Sequence, residues 1–190
     1  MNKLISTFAL ISIAFVSNAQ QFTAQDEAST TKSVTNISIL SPAITHEIAV
    51  SPRQTILIGA ELGIIAKYRI ANGIENSFAT LIPQIKADFR HYYNFEKRLA
   101  KGKNIDKNSG NYLALRTMYI FDPVVNKENF PNYNNGLALG GVWGIQRIYK
   151  SGIYFGLSIG GGFIFGDEKF DTTGMGDIHL GFNIGASSKR

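Results

Sequence analysis

Leu137-Ala-Leu-Gly-Gly-Val-Trp-Gly-Ile-Gln-Arg-Ile-Tyr-Lys-Ser-Gly-Ile-Tyr-Phe-Gly-Leu-Ser-Ile-Gly-Gly-Gly-Phe-Ile-Phe165 is a hairpin whose two halves repeat one alternation. In the second half Phe155, Leu157, Ile159, Phe163 and Phe165 share a face, with Tyr154, Gly156, Ser158, Gly160 and Gly162 opposite. In the first half Leu137, Leu139, Trp143 and Ile145 oppose Gly136, Ala138, Gly140, Gly144 and Gln146. Side chains alternate across a strand, so each half is a ribbon with one apolar face and one small or polar face. Lys150-Ser-Gly supplies the tight turn between them.

The same pattern recurs outward from this hairpin. Thr55–Tyr68 sets Ile56, Ile58, Ala60, Leu62 and Ile64 against Gly59, Glu61, Gly63 and Lys67. Ala79–Tyr93 sets Leu81, Pro83, Ile85, Ala87 and Phe89 against Thr80, Gln84, Lys86, Asp88, Arg90 and Tyr92. Tyr112–Phe121 and Gly176–Ala186 alternate likewise, and Val34–Leu40 and Ala43–Val50 are two short strands split by Ser41-Pro42. The reading is all-β, with about eight antiparallel strands in up-and-down order. The turns at 51–54 and 150–152 are tight, whereas 69–78, 122–134 and 166–175 read as long loops, and 94–109 is a basic connector with a helical turn over Glu96–Ala100.

Before the strands, Lys3, the apolar run Leu4–Val16 and the small-residue site Ser17-Asn18-Ala19 spell a cleaved secretory signal peptide over 1–19. Residues 20–32 are polar and aperiodic, a flexible leader, so the folded domain spans 33–187. There is no cysteine, which excludes a disulfide framework, a thiolate metal site and a lipidated N-terminal cysteine. The formal charge of +5 forms no basic stripe interleaved with stacking aromatics, so nucleic acid is not expected as a partner.

Alternation does not say which face is inside. A soluble lipocalin-like carrier of a hydrophobic ligand turns its apolar face inward; a transmembrane barrel turns it to lipid. Strands longer than the ~9–11 residues that cross a bilayer at a tilt favour lipid. So do aromatics at strand ends (Tyr68, Tyr93, Tyr119, Phe121, Tyr149, Phe165) and the mostly alternating short turns and long loops. On that reading the polar face lines a narrow interior, where Glu47, Glu61, Asp88 and Asp177 meet Lys86, Arg90, Arg116 and His179. Buried charges persist only when paired, so the expectation is an interior salt-bridge network that plugs the barrel. Counting from the turns places Glu61 beside Gln84–Lys86 and Arg116 near Asp88. The short-turn end and tails carry nine basic residues against two acidic, and the long loops three basic against six acidic, an asymmetry suited to charged head groups.

Catalytic signals are thin. Asp177 and His179 share the polar face, but Ser158, counted through a loop centred near Asp171, falls nearer Ile184. His46 and His91 point outward, and no two histidines share a face at metal-ligand spacing. Asp167, Glu168 and Asp171 lack the spaced calcium-loop pattern, and Gly160-Gly161-Gly162 lies within a strand with no following helix, so it is no phosphate loop. No catalytic residue, cofactor or metal ligand is assigned.

Residues 33–186 resemble the small outer-membrane β-barrels of Gram-negative bacteria, the OmpX/OmpA-transmembrane-like class. The resemblance is carried by Ser17–Gln20, Thr45-His46-Glu47, Arg90-His91-Tyr92-Tyr93, Gly110-Asn111-Tyr112-Leu113-Ala114 and Val142-Trp143-Gly144-Ile145-Gln146-Arg147. It implies a monomeric barrel in the cell outer membrane, partnered by outer-membrane lipid, lipopolysaccharide and the barrel assembly machinery. Such barrels commonly end on an aromatic residue, whereas this chain ends Ala186-Ser-Ser-Lys-Arg190, leaving Phe182 or Ile184 for that role. The expected role is structural or loop-mediated and not enzymatic. A lipid-modifying barrel enzyme would need an outward His–Ser pair near the loop end, and none is apparent. A narrow pore would be closed by the charges.

Overall fold

The computed structural model describes residues 30–71, 74–125, 135–166 and 170–184. Its strands are β1 (Val34–Ser38), β2 (Ala43–Ser51), β3 (Gln54–Ala71), β4 (Ile74–Tyr92), β5 (Asn111–Ile120), β6 (Gly136–Ile148), β7 (Ile153–Phe165) and β8 (Phe170–Asn183). Each pairs antiparallel with its sequence neighbours, and β8 closes on β1 to complete a ring of eight. Among the described residues the only helices are α1 (Phe95–Leu99), where the helical turn was expected, and a single 3-10 turn at Asp106–Asn108.

The ring is strongly staggered. Starting at Asn36, successive partners are Thr45, Gly59, Lys86, Met118, Ala138, Ile164 and Asp171, yet Asn36 itself pairs with Asn183, twelve residues further along β8. Such a stagger requires steeply tilted strands, and eight of them enclose a space that side chains fill. Glycines let the inner faces approach: a Cβ on Gly162 would run into the Leu139 carbonyl and the Gly140 Cα. Gly152, at φ 84, closes the β6–β7 turn.

The faces are inverted relative to a water-soluble barrel. Ile44, Ile58, Ile85, Leu113, Leu115, Ile159, Leu180 and Phe182 are among the exposed outward side chains, while Glu47, Lys86, Asp88, Arg90, Arg116 and His179 are buried inside. The interior is layered. Tyr92, Tyr112, Phe95 and Ile105 fill the short-turn end, the charges occupy the middle, and Ile82, Met118, Ile120, Ala138, Ile164 and Met175 fill the loop end.

Two expected long loops are strand instead. The β3–β4 ladder continues past Glu61 and Gln84 to Ala71↔Ile74, so 69–78 is the tip of an extended hairpin. Only Asn72-Gly73, outside the described residues, separates its strands, and two residues suffice for a hairpin turn. Likewise β8 begins at Phe170, not Gly176, because Phe170 packs on Phe163 (centroids 5.1 Å apart) and Phe165 (5.2 Å) across the β7–β8 ladder. Residues 167–169 and 126–134 lie outside the described residues. Pro83 is tolerated inside β4 because β5 ends opposite Gln84: its carbonyl still accepts Phe121 N, and the one bond its missing N–H forgoes lies just past the end of β5. The wall is lowest at β1–β2, where Ile39 N bonds Leu180 O and Leu62 N bonds Pro42 O. Between Ile178 and Phe170 the outward residues of β8 are Gly176, Gly174 and Thr172, so the apolar band thins on the side that faces the low wall.

The basic connector folds back to cap the short-turn end. Phe95 stacks on Tyr92 (4.9 Å), which meets Tyr112 edge-on (5.6 Å). The last residue assigned to the leader, Lys32, is tied to this cap, and Thr31 before it bonds the β2–β3 turn at Ser51 and Pro52. Lys32 N donates to Asn108 Oδ1 and Asn108 Nδ2 donates to Lys32 O, both at 2.7 Å, and Lys32 Nζ pairs with Asp106 at 2.6 Å. The clamp holds Lys107 (φ 53) and Asn108 (φ 62) in the left-handed region, which costs about 1–3 kcal/mol per residue.

Two outcomes follow from this packing. Gly162→Ala is expected to lower stability by about 1–3 kcal/mol, because backbone cannot step aside. Outward Gly161, whose added Cβ meets nothing nearer than Thr173 O at 3.4 Å, tolerates alanine within about 0.5 kcal/mol. Urea unfolding followed by the single tryptophan compares them, and equal losses would refute the packing argument. Burial pushes the Asp106 carboxyl up, but the Lys32 hydrogen bond and charge pull harder, so it titrates below its ordinary 3.8. A folded-state value that is depressed gives stability present above 3.8 and lost as pH falls through the lower value. The Lys32 and Asn108 amide resonances should therefore shift together with a midpoint below pH 3.8, and Asp106→Asn should abolish that titration.

Candidate functional site

The candidate site is the charged layer inside the ring. Its members come from five strands, and alternation directs each of them inward. Glu47 comes from β2, Glu61 from β3, Lys86, Asp88 and Arg90 from β4, Arg116 from β5, and Asp177 and His179 from β8. Register sets the first contacts: Asp88 lies opposite Arg116, and Glu61 opposite Gln84.

Asp88 is the centre. Its Oδ1 accepts Arg116 Nε at 2.7 Å, and its Oδ2 accepts Arg116 Nη2 at 2.9 Å and Arg90 Nη2 at 3.0 Å. The Arg116 bonds form a two-pronged fork, the geometry in which guanidinium and carboxylate interact best. Arg116 Nη1 reaches on to Asp177 Oδ2 (2.6 Å) and the Ser158 hydroxyl (3.1 Å). Lys86 Nζ bridges Glu61 (2.6 Å) and Asp177 (2.9 Å). On the other side Arg90 donates to Gln146 Oε1 at 3.1 Å, lies 3.8 Å from Glu47, and sits 4.2 Å above the Tyr112 ring. Glu47 accepts the Thr55 hydroxyl (2.6 Å), the Tyr92 hydroxyl (2.7 Å) and Gln146 Nε2 (2.9 Å). All eight residues therefore belong to one connected network. Its partners Gln146, Tyr92, Tyr112 and Thr55 were not singled out from sequence, although Gln146 and Tyr92 already stood on polar faces.

His179 is buried at the edge of this layer, its Nε2 3.3 Å from Asp177 and 3.5 Å from Glu61, and its ring stacked on Tyr154. Its Nδ1 has no partner among the described residues. Glu61, Asp177 and His179 bring three metal-capable donors within 4.8 Å of one another. The Lys86 ammonium, 2.6, 2.9 and 3.4 Å from these groups, stands where a metal ion would, so they could ligate one only after Lys86 withdrew.

One expected separation is overturned. Ser158 lies directly opposite Asp177, not near Ile184, because Phe165 pairs with Phe170 and Asp171 is already within the ladder, opposite Ile164. Its hydroxyl accepts from Arg116, and no Ser158–His179 bond is present among the described residues. His46 and His91 are exposed on the outer wall, and His46 Nδ1 meets the Thr35 hydroxyl at 2.8 Å. This outward His–hydroxyl pair escaped the sequence reading. It sits toward the short-turn end, and the outward neighbours of Thr35 and His46 on the ladders, Ile37, Ile44, Ile48 and Ile58, include no carboxylate.

Removing one member of a buried ionic network leaves an uncompensated charge, so Asp88→Asn is expected to cost about 3–5 kcal/mol. Asp88→Leu combined with Arg116→Met removes both partners of the fork and should cost less than Asp88→Leu alone, read from urea midpoints. A double variant no better than the single one would show that the fork is not the dominant contact. Comparisons with protein-family models, curated proteins and solved structures return no match for this chain.

Proposed function

We propose that this protein is a small outer-membrane β-barrel, exported behind the signal peptide at 1–19. Its role is structural or rests on what its loops engage, and its interior is closed by paired charges. The observation that carries this reading is the inverted distribution of side chains. The outer wall bears exposed Ile, Leu and Phe on every strand from β1 to β8, far beyond the few hundred Å² of contiguous apolar surface that a monomeric soluble protein presents. A bilayer is the solvent in which such a wall is stable, and a closed ring is the β-structure that leaves no unpaired edge in it. A lipocalin-like carrier would need the apolar face inside, where this chain places Glu47, Asp88, Arg90 and Arg116.

Further support comes from the ends of the wall. Trp143 Nε1 donates to the Tyr93 hydroxyl at 2.7 Å, and Tyr119 packs edge-on against Phe121 (4.8 Å), as suits aromatics at a membrane–water boundary. The layered interior, with apolar caps on both sides of the charges, supports a non-conducting barrel. The reading includes a monomer folded by the barrel assembly machinery among outer-membrane lipid and lipopolysaccharide.

Fractionation with and without detergent, followed by gels of unheated and boiled samples, tests it. Recovery from outer membranes with a heat-dependent mobility shift is expected, together with no conductance in planar bilayers. A freely soluble periplasmic protein with no shift would overturn the reading and redirect the search to a carried ligand.

A further inference from the structure

On the outer wall, Gly141 interrupts the apolar surface. An added Cβ there would meet nothing within 4 Å, and the missing side chain opens a slot of about 420 Å³ lined by Phe89, His91, Leu113, Leu115, Gly141 and Trp143. The slot runs down the outward faces of β4, β5 and β6 toward the short-turn end. Its lower end is polar. Below Trp143 and Leu113 stand the Tyr93 hydroxyl, bonded to Trp143 Nε1, and Asn111, whose side chain accepts Arg147 Nη2 at 2.6 Å. Arg98 of α1 donates to Asn104 O, and Asn104 Nδ2 donates to the carbonyl of Ile148, the residue after Arg147, so both guanidiniums belong to this rim; among the described residues neither makes a salt bridge. Other Arg residues here, such as Arg53, Arg90 and Arg116, each face a carboxylate. Two uncompensated guanidiniums directly below an apolar slot are a juxtaposition of greasy trough and cationic ledge.

We infer that this slot is a binding site for one anionic phospholipid, with an acyl chain lying over Gly141 and the phosphate-bearing head group held by Arg98 and Arg147. The inference rests on the membrane reading above. Its chemistry follows from the two halves of the site. The slot is too shallow and apolar to hold a polar ligand, and an acyl chain is the apolar partner that a lipid-facing wall meets. Guanidiniums favour phosphate through paired N–H donors. Arg147 spends part of its donor set on Gly110 O and Asn111 Oδ1, which fixes its plane, while Arg98 is fixed by two bonds to Asn104 O. Fixed donors lose little freedom on binding, and that pre-organisation raises affinity.

The test uses the full mature chain in nanodiscs of phosphatidylcholine with a minority of phosphatidylglycerol, released into native mass spectrometry. One retained phosphatidylglycerol, at several-fold enrichment over its share of the bilayer, is expected. Gly141→Leu, whose added Cβ meets nothing within 4 Å, extends its side chain into the slot and should abolish the retained lipid. Arg98→Gln with Arg147→Gln should remove the preference for phosphatidylglycerol, leaving either lipid retained in proportion to the mixture. Excess inorganic phosphate should not displace the lipid; displacement with retention unchanged in Gly141→Leu would mean a phosphate site only, and would overturn the acyl-chain half. A wild-type barrel that shows the heat-dependent shift yet carries the two lipids in their bulk ratio overturns this inference alone. A chain that never enters the bilayer overturns the membrane reading as well. The gel shift on each variant separates a lost site from a lost fold.

Discussion

Seven ionisable acids and bases, Glu47, Glu61, Lys86, Asp88, Arg90, Arg116 and Asp177, share the inside of one ring, and the rest of the structure depends on their being paired. An ionised side chain in such a place costs several kcal/mol unless opposite charges and hydrogen bonds surround it. Asp88 meets that demand with donors from two arginines on adjacent strands, and Glu47 with hydroxyls and an amide from three more residues. Each of these contacts requires one register. A one-residue slip of β4 against β5 would carry Asp88 to the apolar outside and leave Arg116 inside without its partner. The network thus selects the stagger of the ring as much as the ring shelters the network.

That dependence explains what the sequence made legible. The identity of the inward face was readable wherever alternation was strict, and all eight charged residues singled out from it lie inside. Neighbour relations were readable where the centre of a connector was: counting across 94–109 put Arg116 near Asp88, and counting across 69–78 put Glu61 near Gln84. They were unreadable where turn position was misjudged. Asp171, Thr172 and Thr173 look like loop in isolation, but the Phe163–Phe170–Phe165 cluster extends the ladder over them and shifts Ser158 opposite Asp177. Tertiary contact overrides local polarity there. The cap was equally hidden. Residues 94–109 have no period to read, and their fold is dictated by Phe95 seeking the Tyr92–Tyr112 pair and by Asn108 clamping Lys32, a contact across 76 positions.

The layering bears on what the molecule can do. Charges between two apolar caps are cut off from water on both sides, which strengthens each ion pair. Among the described residues, apolar side chains fill the ring on both sides of the charges. Lys86 occupies the space among the three groups that would otherwise attract a metal ion, and Arg116 holds the one serine near Asp177 as an acceptor. These interior groups are committed to one another. Chemistry or recognition is therefore to be sought on surfaces the network leaves untouched.

Those surfaces are unequal. The loop end is built on the extended β3–β4 hairpin and the β7–β8 ladder, both stiffened by strand pairing where loops were expected, and a stiff hairpin presents its tip at low entropic cost to a partner. The short-turn end is sealed by the connector and edged with Lys97, Lys101, Lys103 and Lys150, which no described carboxylate neutralises. On the wall between them, large apolar side chains alternate with a few polar ones and with glycines, and Gly141, Gly161 and Gly174 face one another across β6, β7 and β8. Only at Gly141 does the gap descend onto paired guanidiniums. A glycine outside a barrel has no packing duty of the kind Gly162 has inside, so its value lies in the surface it leaves open, and at this position that surface joins the two features a phospholipid needs.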